Sequence, residues 1–300
     1  MCTAISYRSG DLYFGRNLDL EYSYDERVTI TPRNFPLKFR HVPAPAKGYA
    51  MIGMAFVQDG CPLYYEATNE KGLSMAGLNF PGNADYKPYA EGFDNVAPFE
   101  FIPWVLSQCE TVGQAKVLLS RINLIKEDFS GSLPATPLHW MISGSDGSIV
   151  VESVKEGLKI YDNKVGVLTN NPPFDIQLWN LESSKFLPGD LSSESRFLRA
   201  EFTLRNALGA MDGKDSEACR VSQFFHILGN VAMVKGCRPV NGKYMHTIYS
   251  CCCNASRGIF YYTTYDNSRI TAVDMHRENL DGDSLTSYGL VSGPQFLEQN

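Results

Sequence analysis

The chain opens with Met1-Cys2-Thr3-Ala4-Ile5-Ser6-Tyr7, then Arg8-Ser9-Gly10, then Asp11-Leu12-Tyr13-Phe14-Gly15-Arg16-Asn17-Leu18-Asp19. Two alternating runs flank a short polar stretch. Alternation of this kind specifies strands, and the glycine falls where a three-residue hairpin loop requires a left-handed residue. With Arg8-Ser9-Gly10 as the loop, Cys2 is expected opposite Arg16, with Cβ atoms roughly 5 Å apart. A permanent cation beside the thiol favours the thiolate. A two-residue loop would instead slip the register by one and turn Arg16 to the other face. Asp19 follows just beyond, in reach of an amino terminus on Cys2. Cells commonly remove an initiator methionine that precedes a small residue. Once Met1 is gone, Cys2 carries both a nucleophilic thiol and an α-amine of reference pKa about 8 to act as its base.

The totals bound the answer. Three hundred residues, 44% hydrophobic and 20% charged, describe an ordinary globular protein with room for a large core. A net charge of −6 supplies no basic field for nucleic acid or an anionic membrane. The sequence contains no apolar run long enough to cross a bilayer and no charged-then-apolar leader, so a cytoplasmic location is expected. Eight cysteines form no C-x-x-C pair, and the five histidines do not fall at zinc-like spacings from them. Cys251-Cys252-Cys253 reads as an alternating strand with small apolar side chains rather than as a metal site. No metal and no organic cofactor is expected.

Strands are expected at 28–30, 50–56, 62–67 and 73–80, then a helical period over 98–119 and a loop over 123–137 that presents Phe129 and Leu133. Short strands follow at 138–143, 148–153, 158–161 and 166–168, helices at 195–208 and 219–234, and strands at 246–251, 258–262, 269–274 and 285–288. With no repeat and no linker, the economical reading is one α+β domain over 1–300, two sheets covered by helices. Asn79 and Asn170 end apolar strands. Each is placed either to aim an amide at an oxyanion or to bond its own turn. Arg196 lies in the first turn of a helix, where a cation opposes the dipole; it serves a partner there or a surface salt bridge. His139, His226, His246 and His276 lie among core-like neighbours, and none is placed near Cys2.

Several blocks carry a family resemblance: Met1-Cys2-Thr3, Phe14-Gly15-Arg16-Asn17-Leu18-Asp19, Asn69-Glu70-Lys71-Gly72-Leu73, Ala76-Gly77-Leu78-Asn79-Phe80, Leu138-His139-Trp140, Leu168-Thr169-Asn170-Asn171-Pro172, Leu187-Pro188-Gly189-Asp190 with Ser195-Arg196-Phe197, and Asn279-Leu280-Asp281-Gly282. In this order, nearly end to end, they resemble the choloylglycine hydrolases, the bile salt hydrolases and penicillin V acylases of the N-terminal nucleophile superfamily. The resemblance implies a four-layer αββα sandwich, with Cys2 as nucleophile and base. It places Arg16 and Asp19 beside Cys2, Asn79 and Asn170 near the oxyanion, and Arg196 in the site. Asparagine rather than tyrosine at position 79, Tyr64-Tyr65, and the Phe129/Leu133 loop resemble the bile-salt branch. The implied substrate is a glycine- or taurine-conjugated bile salt, its steroid lying on Leu20, Tyr22, Tyr24, Tyr65, Phe129 and Leu133. One departure stands out: between Leu181 and Leu187 relatives carry a longer excursion that supports subunit assembly, usually a homotetramer. A monomer or homodimer is therefore expected here. A penicillin V acylase and a steroid or lipid carrier that keeps Met1 are the competing readings.

Overall fold

The computed structural model describes residues 1–211, 215–240 and 242–300. The opening hairpin forms as strands Cys2–Ser9 and Asp11–Leu20, but it turns on Gly10 rather than on Ser9. Gly10 sits at φ 71°, a conformation that a side chain resists, so the glycine takes the centre of the loop. Ser9 therefore faces Asp11, Cys2 faces Leu18, and Arg16 faces Ala4. The expected Cys2–Arg16 pairing is corrected by two residues. A shift of two preserves the face in a structure of period two, so Cys2 and Arg16 still project from the same side.

This hairpin lies inside a six-stranded antiparallel sheet. Its order is Val167–Leu168, Cys2–Ser9, Asp11–Leu20, His246–Asn254, Ile259–Thr264 and Thr271–Asp274. An eight-stranded sheet lies against it, ordered Gly157–Asp162, Gly147–Val154, Leu138–Gly144, Ser74–Asn79, Cys61–Asn69, Met51–Gln58, Arg27–Thr31 and Thr286–Gly289. Alternation sends each strand's side chains to two different cores. Cys2, Ala4, Phe14 and Leu18 pack between the sheets with Ile52, Met54, Ala76 and Leu78. Met51, Met75, Trp140 and Ile142 point the other way, onto helices Phe101–Leu106 and Val112–Leu119. Helices Phe174–Ser183, Ser193–Ala210 and Glu217–Gly229 cover the far face of the six-stranded sheet. The result is the αββα order that the resemblance implies. Cys251 and Cys253 face the inter-sheet core and Cys252 the helices, as an alternating strand requires.

Two helical expectations change. The period over 98–119 is two helices, the second begun by Thr111, whose side chain accepts from the Gln114 N–H. Helix Phe174–Ser183 was not expected. It follows Pro173 and buries only Phe174 and Gln177, so its apolar stripe is too thin to read.

The centre of the six-stranded sheet tolerates no side chain at Gly15, where a Cβ would lie 2.0 Å from the Cys251 carbonyl oxygen. Gly15→Ala is expected to lower stability by about 3 kcal/mol or more, since the clash is with backbone. Gly10→Ala, which strains only a loop, should cost about 1–2 kcal/mol. Urea denaturation of both variants measures the difference.

Candidate active site

Cys2 begins the first strand and is 3% exposed. Its backbone is held from two directions. The Cys2 N–H donates to Asn170 Oδ1 at 2.7 Å, and the Cys2 carbonyl accepts from Arg196 Nη1. Asn170 directly follows the short edge strand and Thr169, and is itself fixed by several bonds. Its Nδ2 donates to the Asn79 carbonyl at 2.7 Å, its N–H to Ser193 Oγ at 2.8 Å, and its carbonyl accepts from Gln177 Nε2 at 2.7 Å. Arg196 arrives from the helical layer, fully buried, donating also to Thr3 Oγ1 at 2.7 Å and to Asn170 Oδ1 at 2.9 Å. It forms no ion pair among the described residues, so the surface salt bridge is set aside. Burial lowers the Arg196 pKa, against Asp19 and Cys2, which favour its charge.

The carboxamide of Asn170 is oriented by its neighbours. Two donors, the Cys2 N–H and the Arg196 guanidinium, converge on one atom, and only the amide oxygen can accept both. Asn170 therefore grips the nitrogen of Cys2. The resemblance implies Asn170 near the oxyanion; in the structure its oxygen faces that nitrogen and one N–H of its amide goes to the Asn79 carbonyl. Asn79 differs. Its side-chain amide has no hydrogen-bond partner among the described residues, and its Oδ1 is buried.

Arg16 and Asp19 approach from opposite faces of the second strand. Arg16 points between the sheets, where Nη1 donates to the Gly77 carbonyl at 2.6 Å and the Tyr65 carbonyl at 3.2 Å. Tyr65 is the extra residue of a bulge, since Glu66 pairs with Met54 and Tyr64 with Ala55, and the bulge frees its carbonyl for Arg16. Burial works to lower the Arg16 pKa. The field of Cys2, Tyr249, Glu66 and Cys251 outweighs it and holds the guanidinium above its usual value. Asp19 is also fully buried, its Oδ1 accepting from Thr247 Oγ1 at 2.7 Å. Met1 pairs with Asp19 through main-chain bonds in both directions, and its sulfur lies 3.6 Å from Arg196 Nη2. Burial lowers the Met1 amine pKa against the opposing pull of Cys2 and Asp19.

Three of these residues carry buried polar atoms with no partner among the described residues: Arg16 Nη2, Asp19 Oδ2 and Asn79 Oδ1. Buried polar atoms in folded proteins are nearly always satisfied, so unpartnered atoms on three residues that the resemblance assigns to the site make them candidates to meet a ligand.

The expected apolar wall is only partly assembled. Tyr22 and Tyr24 pack with ring centroids 4.8 Å apart and planes tilted by 41°, and stand about half exposed at the end of the second strand, beyond Leu20. The hydrogen bond to Tyr22 pushes Tyr24 up to about 12. Tyr65 packs half-buried against the inter-sheet core, within the field of Tyr24 and Arg16. Phe129 and Leu133 close a tight loop on each other instead, the Phe129 N–H donating to the Leu133 carbonyl at 3.0 Å. Phe129 meets Phe99 edge-on at 5.2 Å, and Phe99 lines an apolar concavity of about 290 Å³ with Leu37, Phe39 and Pro62. No hydrogen bond or ring contact joins that loop to the tyrosines among the described residues.

Sequence reasoning missed four supporting residues. Glu66 and Tyr249 enclose Arg16, and Gln177 ties down Asn170. His139 is held between Glu152 at 2.9 Å and the Thr169 carbonyl at 2.8 Å, and stacks on Phe80 at 4.2 Å. It thus braces the residues next to both Asn170 and Asn79. A lone acid within an otherwise apolar strand, Leu63-Tyr64-Tyr65-Glu66-Ala67, was the available signal for Glu66.

Comparison with known proteins places this arrangement. The family model described as linear amide C–N hydrolases, choloylglycine hydrolase family, matches residues 2–186 and 183–288. The chain is therefore an amide hydrolase with the N-terminal nucleophile fold. It belongs to the choloylglycine hydrolase family. A bile salt hydrolase/transferase of Lactiplantibacillus plantarum is 49% identical over 328 aligned residues, covering all of both chains. The solved C2A mutant of the conjugated bile acid hydrolase from Clostridium perfringens superposes with a TM-score of 0.92 at 36% identity over the full length of both. A penicillin V acylase from Agrobacterium tumefaciens shares the fold, with a TM-score of 0.78 at 19% identity over 95% of this chain and 90% of that one.

Asn170→Ala leaves the Cys2 N–H and one Arg196 amino group buried without an acceptor. A loss of about 1–3 kcal/mol in stability is expected, with Asn170→Asp, which keeps the acceptor, recovering most of it. Thermal melts of the pair test the assignment.

Proposed function

We propose that this enzyme hydrolyses the amide bond joining a bile acid to glycine or taurine, with Cys2, freed of Met1, as the nucleophile. The observation that carries the reading is the clamp on Cys2. Asn170 and Arg196 hold its nitrogen and carbonyl, while Arg16, Asp19 and Asn79 each keep a buried polar atom with no partner among the described residues. The choice of a bile-acid amide follows the names of the relatives and the asparagine at position 79.

Loss of Met1 turns the Cys2 nitrogen into an amine with Asn170 Oδ1 already placed to accept from it, and Asp19 Oδ2 is available to its charge. The amine takes the thiol proton, and the thiolate attacks the substrate carbonyl. The Asn79 amide stabilises the oxyanion. The amine then returns the proton to the leaving nitrogen, so glycine or taurine departs and a bile-acyl thioester remains on Cys2. Water gives a proton to the same amine, attacks the thioester and releases the bile acid. Arg196 keeps the Cys2 carbonyl, and hence the strand end, fixed through both steps. Leu20, Tyr22, Tyr24, Tyr65, Phe129 and Leu133 are assigned to the steroid, whose flat apolar body suits an aromatic wall. No metal or cofactor enters the scheme. The protein acts in the cytoplasm as a monomer or homodimer; no helix among the described residues is long and apolar enough to cross a membrane.

Intact mass of the active protein is expected to lack one methionine, and Cys2→Ala to abolish turnover. A fully active protein that keeps Met1 would instead support a carrier with incidental activity. Asn79→Ala should lower kcat by a factor of about 10² to 10³. Release of glycine and taurine from conjugated bile salts, compared with phenoxyacetate release from penicillin V, separates the two branches of the family. Faster phenoxyacetate release would overturn the bile-salt assignment.

A further inference from the structure

Glu66 is a carboxylic acid sealed inside the inter-sheet core, 1% exposed. It projects from the eight-stranded sheet toward the six-stranded one. There it meets Tyr249 Oη at 2.8 and 3.0 Å, Cys251 Sγ at 3.4 Å, and Arg16 Nε at 3.7 Å. Arg16 is thus approached by two groups. Glu66 lies on the Nε side of the guanidinium. Cys2 is the neighbour that most favours its charge, and Nη2 has no protein partner among the described residues.

We propose that Glu66 is a positioning residue for the N-terminal nucleophile, acting through Arg16 to decide how much of the guanidinium's charge bears on Cys2. When the Glu66 carboxyl is neutral, the Arg16 charge is uncompensated and acts fully on the thiol. When it is ionised, the carboxylate and the guanidinium balance each other and that pull weakens. The inference rests on the assignment of Cys2 as the nucleophile.

The groups facing Glu66 fix which of them changes charge. Arg16 comes from the second strand, Tyr249, Cys251 and Cys253 from His246–Asn254, Tyr65 from its own strand, and Glu26 from the segment before Arg27–Thr31. Burial pushes Tyr65, Tyr249, Cys251 and Cys253 upward, so these stay neutral through the physiological range. Burial also raises Glu66 to about 7, against the pull of Arg16 and Tyr249. Its raised pKa means that it is neutral on the acid side of that value and ionised above it. The uncompensated pull of Arg16 on Cys2 is accordingly strongest on the acid side of that value.

The test uses the processed enzyme and its Glu66→Gln variant, which is neutral at every pH. Alkylation of Cys2 by iodoacetamide is followed against pH by intact mass, alongside kcat and KM. The wild-type alkylation profile is expected to carry an inflection near pH 7. In Glu66→Gln that inflection disappears and the half-maximal point moves to lower pH by roughly 0.5–1 unit. KM stays unchanged, because Glu66 touches no substrate. In an Arg16→Gln background the Glu66→Gln shift vanishes, as a coupling through Arg16 demands. Should Glu66→Gln fail to fold, Tyr249→Phe removes a hydrogen bond from the carboxylate and should move the inflection upward. Identical profiles in wild type and a folded Glu66→Gln, or a change confined to KM, would overturn the proposal. A wild-type enzyme that turns over amide while Cys2 resists alkylation at every pH would sink the nucleophile assignment instead.

Discussion

A buried guanidinium and a buried carboxamide hold the first strand's end, and the rest of the molecule is arranged to keep them there. Arg196 reaches through from the helical layer to the Cys2 carbonyl, and Asn170 from the neighbouring edge to the Cys2 nitrogen. A strand end normally frays, because its terminal groups can exchange the ladder for water. Here both groups of one residue bond to side chains that are themselves buried and multiply bonded. Cys2 is therefore set on rigid structure, the condition that the proposed nucleophile needs if a donor is to be fixed relative to it without reorganisation.

The four layers divide the labour. The helical face supplies Arg196 and, through Ser193 and Gln177, the anchors of Asn170. The inter-sheet core supplies Arg16 with the carbonyls of Tyr65 and Gly77. Asp19, facing the helices, and Arg16, facing the opposite sheet, bracket Cys2 along one strand. Only a strand buried on both faces can offer a charged group of each sign to its neighbour in this way, and the sandwich provides it.

Much of this was legible in the residues. Alternation located the strands of the two large sheets but missed the short pairs Asp94–Val96 with Ile122–Leu124 and Pro239–Val240 with Lys243–Tyr244, and the opening hairpin came out two residues out of register because the loop's centre was misplaced. The consequence for Arg16 was small, since period two forgives an even slip. Orientation was not legible. Whether Asn170 offers its oxygen or its nitrogen depends on two donors that arrive from positions 2 and 196, far apart in sequence. Glu66 stands out in sequence only as a lone acid in an apolar strand, and it becomes internal when the second sheet covers it. Helix Phe174–Ser183 escaped notice because a helix that buries two side chains leaves almost no periodic trace. The short connection between Leu181 and Leu187 leaves no trace in residue patterning and rests on the resemblance alone.

The order of strands in the six-stranded sheet has a temporal meaning. Strand Asp11–Leu20 is flanked on one side by Cys2–Ser9 and on the other by His246–Asn254, which comes late in the chain. The hairpin therefore waits, with one edge unzipped, for most of translation. The removal of Met1 that the proposed nucleophile requires has that whole interval, before the arriving strand completes the sheet.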